Sequence, residues 1–154
     1  MKRLLPSGAI AGLLLAAPAA EAAIQLDRGI AGARIGNTRA EVRAALGKPK
    51  VRTGTNDFGR WVRYRYPGGI EVFFQGGRRV TSVSTSGLGD RTAGGIGVGT
   101  SEARLRAVIK RVRCETVQSV RICLTGQLRP GRRVTDFRIV DGRVARVTVG
   151  VVID

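Results

Sequence analysis

One twelve-residue phrase occurs twice in this chain, at 35–46 and at 98–109, with a constant offset of 63 residues. Both copies begin with a branched apolar residue and glycine, and both place threonine or serine two positions after that glycine. A repeat at a fixed offset indicates a tandem duplication and limits the possible folds more than any other feature here. The sequence therefore predicts a first repeat at 23–88 and a second at 89–154.

The repeated phrase has the signals that begin and end a short helix. Thr38 is a good N-cap, and Glu41 three residues later completes a capping box. Apolar residues at i, i+3 and i+4 from Val42 share one face, and Gly47 supplies a left-handed stop. In the second copy Ser101 is the cap. The sequence predicts one amphipathic helix in each repeat.

Three segments after each helix alternate apolar and polar residues, as strands do. We predict an α+β fold that is a tandem repeat of a helix plus a three-stranded antiparallel meander. The two units would form one continuous sheet of about six strands with both helices on one face. We expect loops at 27–34 and 48–59. The predicted strands are 61–66, 70–75, 79–85, 119–124, 134–140 and 143–153.

The N-terminus has the three parts of a secretory signal peptide. Lys2 and Arg3 precede an apolar run at 9–17, and Ala20-Glu21-Ala22 forms an A-x-A exit, so cleavage is expected after Ala22. The alternative is an uncleaved membrane anchor, for which the run is short. The sequence predicts a signal peptide at 1–22 and a secreted or envelope-associated protein.

The chain has two cysteines, Cys114 and Cys123, and no histidine. In an exported protein this pair predicts one disulfide, and the alternative is two free buried thiols. Two cysteines without histidine do not form a zinc site. We expect neither a metal nor a cofactor.

The chain is strongly basic, with a formal net charge of +16. Such a protein is attracted to anionic surfaces, which outside the cytoplasm are lipid headgroups, wall polymers and acidic proteins. Nucleic acid is not expected as a partner, because export removes the chain from most of it. The alternative is that the arginines are merely solvated.

The phrase 35–42, followed by Leu46-Gly47-Lys48-Pro49, resembles the signature of the SmpA/OmlA superfamily, to which BamE-like envelope lipoproteins belong. The tandem plan, export signal and cysteine pair are similar to those of the β-lactamase inhibitory protein. The resemblance implies this fold and a role in binding outside the cytoplasm, and it does not imply inhibition of a β-lactamase.

The residues that usually carry catalysis are absent or scattered. Histidine, the commonest general base, is missing, and the carboxylates occur singly. Ser82 and Ser84 lack the setting of a nucleophile elbow. The glycines at 94–97 are not followed by the Lys-Ser/Thr of a phosphate loop. We expect that the protein is not an enzyme.

The expected function is binding of a protein partner by the outward face of the sheet. Trp and Arg are favoured anchors at interfaces. The predicted binding residues are Trp61, Arg63, Arg65, Phe73, Arg121 and Arg138, with Asp136 among them. In a second interpretation Trp61 only covers a sheet edge. A second function would be a basic structural protein held by charge on anionic lipid or cell-wall polymer, in contact with the membrane surface.

Overall fold

The computed structural model describes residues 23–153, and the predicted signal peptide and Asp154 lie outside this range. A small sheet at the start of the described chain has the strand order β1-β2-β3. Its strands are β1 (Ile24–Gln25), β2 (Gly29–Ile30) and β3 (Ala33–Arg34). Two short helices follow at different points of the chain, α1 (Arg39–Leu46) and α2 (Glu102–Val108). Within residues 23–153 no helix has the length and apolar character needed to cross a membrane.

The large sheet has eight antiparallel strands in the order β4-β5-β6-β7-β11-β10-β9-β8. The last strand in sequence, β11, pairs with β7 and so lies at the centre of the sheet, while β4 and β8 form its two edges. The strands are β4 (Lys50–Asn56), β5 (Gly59–Arg65), β6 (Ile70–Gln75), β7 (Ser82–Thr85), β8 (Arg113–Val117), β9 (Val120–Leu124), β10 (Arg133–Val140) and β11 (Arg143–Val151).

The predicted fold class is wrong. The chain is mostly β, with an eight-stranded and a three-stranded sheet, and not a repeated helix plus three-stranded meander forming six strands. Strand β4 was predicted as a loop, because nearly all of its side chains are exposed and it has no apolar alternation. An edge strand in solvent needs no apolar alternation. The short strands β2 and β3 fall where a loop was expected for 27–34.

Both helices begin at the residues that the sequence indicates. Thr38 caps α1 with a complete capping box, since its backbone N–H donates to Glu41 at 2.6 Å. Gly47 ends α1 with a positive φ of 83°. Ser101 caps α2 by accepting from the Arg104 N–H. These local contacts explain why the helix positions were predictable.

One hydrophobic core lies between the large sheet and the layer of helices and small sheet that covers one of its faces. Val42 of α1 and Leu105 of α2 are both fully buried in it. The sheet supplies alternate residues of its strands, including Phe74 and Phe137. The covered face is called the inner face below, and the opposite one the outer face.

The small sheet is fixed to the far half of the large sheet by Asp27. Its Oδ1 accepts hydrogen bonds from Thr125 Oγ1 at 2.6 Å and from Thr135 Oγ1 at 2.8 Å. Asp27 has a φ of 58°, in the left-handed region that aspartate tolerates better than most residues. The start of the described chain thereby closes one side of the core.

Candidate binding surface on the large sheet

Strand register places a small aromatic and cationic cluster on the outer face. Val62 and Tyr64 of β5 are buried on the inner face, so Trp61 and Arg63 point outward. Phe73 of β6 lies directly opposite Arg63. Trp61, Arg63 and Phe73 are each partly exposed, and we call them the Trp-Arg-Phe cluster.

The three side chains of the cluster stack on one another. The rings of Trp61 and Phe73 are 5.7 Å apart and nearly parallel, with 30° between their planes. The Arg63 guanidinium lies 5.3 Å from the Trp61 ring centre and 5.7 Å from that of Phe73. Among residues 23–153, no carboxylate forms an ion pair with Arg63. The cluster presents a flat apolar surface with an unneutralised positive charge on it.

A glycine on the neighbouring strand makes room for the indole. Gly54 of β4 is the register partner of Trp61, and a Cβ added at Gly54 would overlap the indole ring. The ring therefore lies across the strand backbone and does not stand away from it. This packing holds Trp61 in one orientation, which lowers the entropy cost of binding through it.

Arg65 lies beside the cluster and, unlike Arg63, is paired with a carboxylate. Its Nε is 3.0 Å from Glu71 Oε1, and the other oxygen of Glu71 is 3.7 Å from Arg146 Nη1. Glu71, Arg146 and Phe73 line a small open cavity of about 220 Å³ on the outer face. Glu71 therefore separates the arginines that have a carboxylate partner, Arg65 and Arg146, from Arg63, which has no ion pair among the described residues.

The remaining predicted residues do not join the cluster. Arg138 is exposed on the outer face, but it lies on β10, four strands from β5 and so roughly 19 Å away. Arg121 was expected on the outer face and lies on the inner one, opposite the buried Ile139. There its Nη2 donates to Glu102 Oε1 at 2.6 Å. This hydrogen bond lowers the pKa of Glu102 and raises that of Arg121.

Asp136 also lies on the outer face, opposite Thr148 and Leu124. Its Oδ1 is buried and has no hydrogen-bond partner within the described chain. Burial raises the pKa of Asp136, and the nearby Arg138 lowers it by less. This carboxylate is remote from the Trp-Arg-Phe cluster and is a source of instability more than a recognition group.

Sequence reasoning missed the cations of β4 that extend the surface to the sheet edge. Arg52 is the register partner of Arg63, and Lys50 is that of Arg65, so both side chains are on the outer face. Both are exposed. Lys50 and Arg52 could not be assigned to a face of the sheet, because no strand was predicted at 50–56. The alternation Lys-x-Arg-x-Gly indicates a strand only weakly.

The predicted disulfide is confirmed, since Cys114 and Cys123 are bonded across β8 and β9. Glu102 lies within 4.8 Å of both sulfurs. Sulfurs joined in a disulfide are not thiolates, so this group of three does not fit a metal ion.

No family model matches the sequence, and no curated protein does. Among solved structures, the chain is similar to a DUF4309 family protein, YjgB, from Bacillus subtilis subsp. subtilis strain 168. Their TM-score is 0.51 at 22% identity, over 79% of this chain and 84% of that one. An extracellular protein containing a SCP domain from Bacillus anthracis strain Ames gives 0.52 at 10% identity, over 75% and 43%.

A cysteine-rich secretory protein from Staphylococcus aureus subsp. aureus Mu50 gives a TM-score of 0.49 at 12% identity, over 76% of this chain and 44% of that one. The chain thus spans less than half the length of two of these three proteins. At these identities the likeness to the two Bacillus proteins shows a shared fold and nothing more.

The resemblance to the SmpA/OmlA superfamily, BamE-like proteins and the β-lactamase inhibitory protein is wrong. None of these structural matches belongs to that group, and no family model supports it. The motif consists of a capping box and a glycine stop, which Thr38, Glu41 and Gly47 form here. Any short helix can use these contacts, so the motif reports a helix and not a family.

Proposed function

We propose that this protein is a non-catalytic, extracytoplasmic binding module that holds a protein partner on the outer face of its large sheet, at the end formed by β4, β5 and β6. The observation that carries the proposal is the Trp-Arg-Phe cluster, in which a guanidinium that has no ion pair among residues 23–153 stacks on two partly exposed aromatic rings. Tryptophan and arginine are enriched among the residues that dominate interface energies.

The chemistry of this surface favours an acidic partner. Arg63 and the neighbouring Arg52 and Lys50 form no ion pairs within residues 23–153, whereas Arg65 and Arg146 share Glu71. A carboxylate of the partner can pair with Arg63 while its apolar part covers the rings of Trp61 and Phe73. Desolvation by the rings strengthens such a pair relative to one in water.

An extracytoplasmic location is supported by the disulfide, because such bonds persist in oxidising compartments. It is also consistent with the similarity to the Bacillus anthracis structure, which is described as an extracellular protein. The sequence of the first 22 residues has the pattern of a secretory signal peptide.

The test is affinity capture from the envelope fraction and medium of the producing cell, with wild-type protein and two arginine variants. Arg63→Ala removes the central cation of the cluster. Arg104→Ala removes the same charge from the exposed side of α2, where the Arg104 side chain forms no ion pair with the described residues. We expect Arg63→Ala to weaken retention of one protein about tenfold and Arg104→Ala to leave it unchanged.

Equal effects of the two variants, with binding lost as salt is raised, would refute the proposal. That result would favour the second function, in which the basic chain is held by its total charge on anionic lipid or wall polymer. Vesicles of anionic phospholipid, added in the same assay, identify that case directly.

A further inference from the structure

The edge strand β4 has a backbone that is free to pair. The Gly76 N–H donates to the Arg60 carbonyl at 2.7 Å, and the Tyr66 N–H donates to the Ile70 carbonyl at 2.9 Å. The even-numbered residues of β5 therefore turn their backbone polar groups toward β6. The odd-numbered residues, among them Trp61, turn theirs toward β4, since these directions alternate along a strand.

The same alternation fixes the free groups of β4. Trp61 and Arg63 bond to Gly54 and Arg52, their register partners. The residues between these, Val51, Thr53 and Thr55, therefore point their backbone N–H and C=O groups away from the sheet. Strand β4 pairs with β5 alone, and no backbone hydrogen bond within residues 23–153 reaches these three residues.

Positive charge flanks this free edge on both faces. On the outer face stand Lys50, Arg52 and Arg63, which have no ion pairs within the described chain. On the inner side, a cavity of about 560 Å³ lies beside Thr53 and Thr55. Its cationic lining residues are Arg39, Arg60 and Arg78.

These charges select among the possible occupants of the edge. A second copy of the chain pairing β4 with β4 would bring two sets of lysine and arginine together, and charged edge residues are a common means of preventing such pairing. An acidic strand meets no such repulsion. Because the outward groups of β4 are main-chain donors and acceptors, the complementary partner is an extended peptide.

We propose that β4 binds an extended acidic segment of a partner protein as a ninth antiparallel strand of the large sheet. The proposal rests on the proposed function, because it identifies which part of a protein partner this end of the sheet takes. The segment would place acidic side chains opposite Lys50 and Arg52. On the other face it would place small branched side chains opposite Val51, which is 54% exposed, and Thr53.

The test uses a synthetic seven-residue peptide in which glutamate alternates with valine or threonine, with both ends blocked. Two further peptides of the same sequence are N-methylated, one at the branched residues and one at the glutamates. In the antiparallel arrangement, the branched residues bond to β4 and the glutamates point away. We expect methylation at the branched residues to weaken binding at least about tenfold, and methylation at the glutamates to have little effect.

Two variants of the protein test the same main-chain pairing by changing β4 and not the peptide. Thr53→Pro removes an outward N–H without removing a bond to β5, which proline tolerates on an edge strand. Thr53→Val keeps the N–H and removes only the hydroxyl. We expect the unmethylated peptide to bind Thr53→Val as it binds wild type, and Thr53→Pro about tenfold more weakly.

Equal binding of all three peptides to the wild-type protein would overturn the proposal, because it would show attraction by charge alone. Loss of binding only on methylation at the branched residues supports strand addition, and loss on methylation at the glutamates would overturn the proposed arrangement, because there the glutamates point away from β4. This comparison uses wild-type protein and remains decisive if Thr53→Pro does not fold. If no peptide binds but an Arg63-dependent protein is captured, strand addition fails and the proposed function stands.

Discussion

The two edge strands of the large sheet, β4 and β8, differ in how they are linked to the neighbouring strand and in the charges that flank them. Strand β8 has five residues, and a disulfide ties its Cys114 to the adjacent strand. Strand β4 has seven residues, no covalent link, and a row of outward main-chain groups flanked by cations. The disulfide fixes β8 to the adjacent strand without covering its outer edge, so the proposed recognition by β4 rests on the cations and the Trp-Arg-Phe cluster beside it.

Two of the arginines predicted to bind, Arg121 and Arg63, also differ in how they are paired. Near β8, Arg121 is held by Glu102, and that arginine serves the packing of α2 on the sheet. Near β4, Arg63 contacts aromatic rings and Arg52 is exposed, and neither forms an ion pair within the described residues. High net charge alone therefore does not identify a binding surface, and the proposed one is distinguished by the stacking of Arg63 on two aromatic rings.

Removal of the disulfide has the largest expected effect and should act on one edge only. The cysteines are nine residues apart, so a variant with both Cys114→Ala and Cys123→Ala should lose about 2–3 kcal/mol of unfolding free energy. The measurement is denaturant unfolding, with reduced wild type as the matched control. Binding of the acidic peptide at β4 should be unchanged while the protein is folded, and a loss there would show that the two edges are coupled.

The substitution Gly54→Ala should disturb the β4 edge and lower the unfolding free energy by less than removal of the disulfide does. The added Cβ overlaps the Trp61 indole and forces it off the strand, which should cost about 1–2 kcal/mol and weaken partner binding. Trp61 is the one tryptophan of the chain, so its fluorescence reports the displacement. Gly89→Ala is the control, because a Cβ there meets nothing within 4 Å. An unchanged emission spectrum in Gly54→Ala would show that the indole does not lie across Gly54.

The substitution Glu102→Gln should lower the unfolding free energy by about 1 kcal/mol, and only above an acidic pH. The Arg121 hydrogen bond lowers the pKa of Glu102 in the folded protein. The ion pair therefore stabilises the fold above the unfolded pKa of this carboxyl, and its contribution is lost as pH falls through the lower folded value. Thermal unfolding across an acid pH series measures this. A difference between variant and wild type that does not shrink toward low pH would contradict the assignment.

The substitution Asp136→Asn has the smallest expected effect and should raise the unfolding free energy by about 0.5 kcal/mol at about pH 7. Burial raises the pKa of Asp136, so the folded state keeps its proton to higher pH than the unfolded chain does. The instability is absent below the unfolded pKa and develops as pH rises to the folded one. The gain should vanish in acid, and a variant less stable than wild type at about pH 7 would show that the ionised carboxylate is satisfied.

The helices and the central strands could be predicted because their signals are local. Thr38 and Gly47 bound α1 by their own hydrogen bonds and backbone angles, and β6 was predicted from alternation with the bounds that the structure shows. The edge strands could not be predicted in this way. Their side chains face solvent, so β4 carries no apolar pattern, and only its pairing with β5 reveals it.

The positions of the candidate site's residues were predictable within one hairpin, and not where they depend on pairing between distant strands. Arg63 and Phe73 lie on adjacent strands joined by a short turn, so alternation alone places them side by side. The position of Arg121 could be predicted only if the buried face of β9 was known. That face is set by Cys123, which is fully buried, while the more apolar-looking alternate face points outward.

We propose that the β4 end of the sheet, and not the total charge, recognises a protein partner. The most direct measurement is an amide NMR titration of the ¹⁵N-labelled protein with the unmethylated acidic peptide at physiological salt. We predict that shifts concentrate at Val51, Thr53 and Thr55 and at the Trp61 indole N–H, with the β8 amides unmoved. Shifts spread over arginine-bearing segments of both edges, and abolished by salt, would contradict the claim and assign the binding to charge alone.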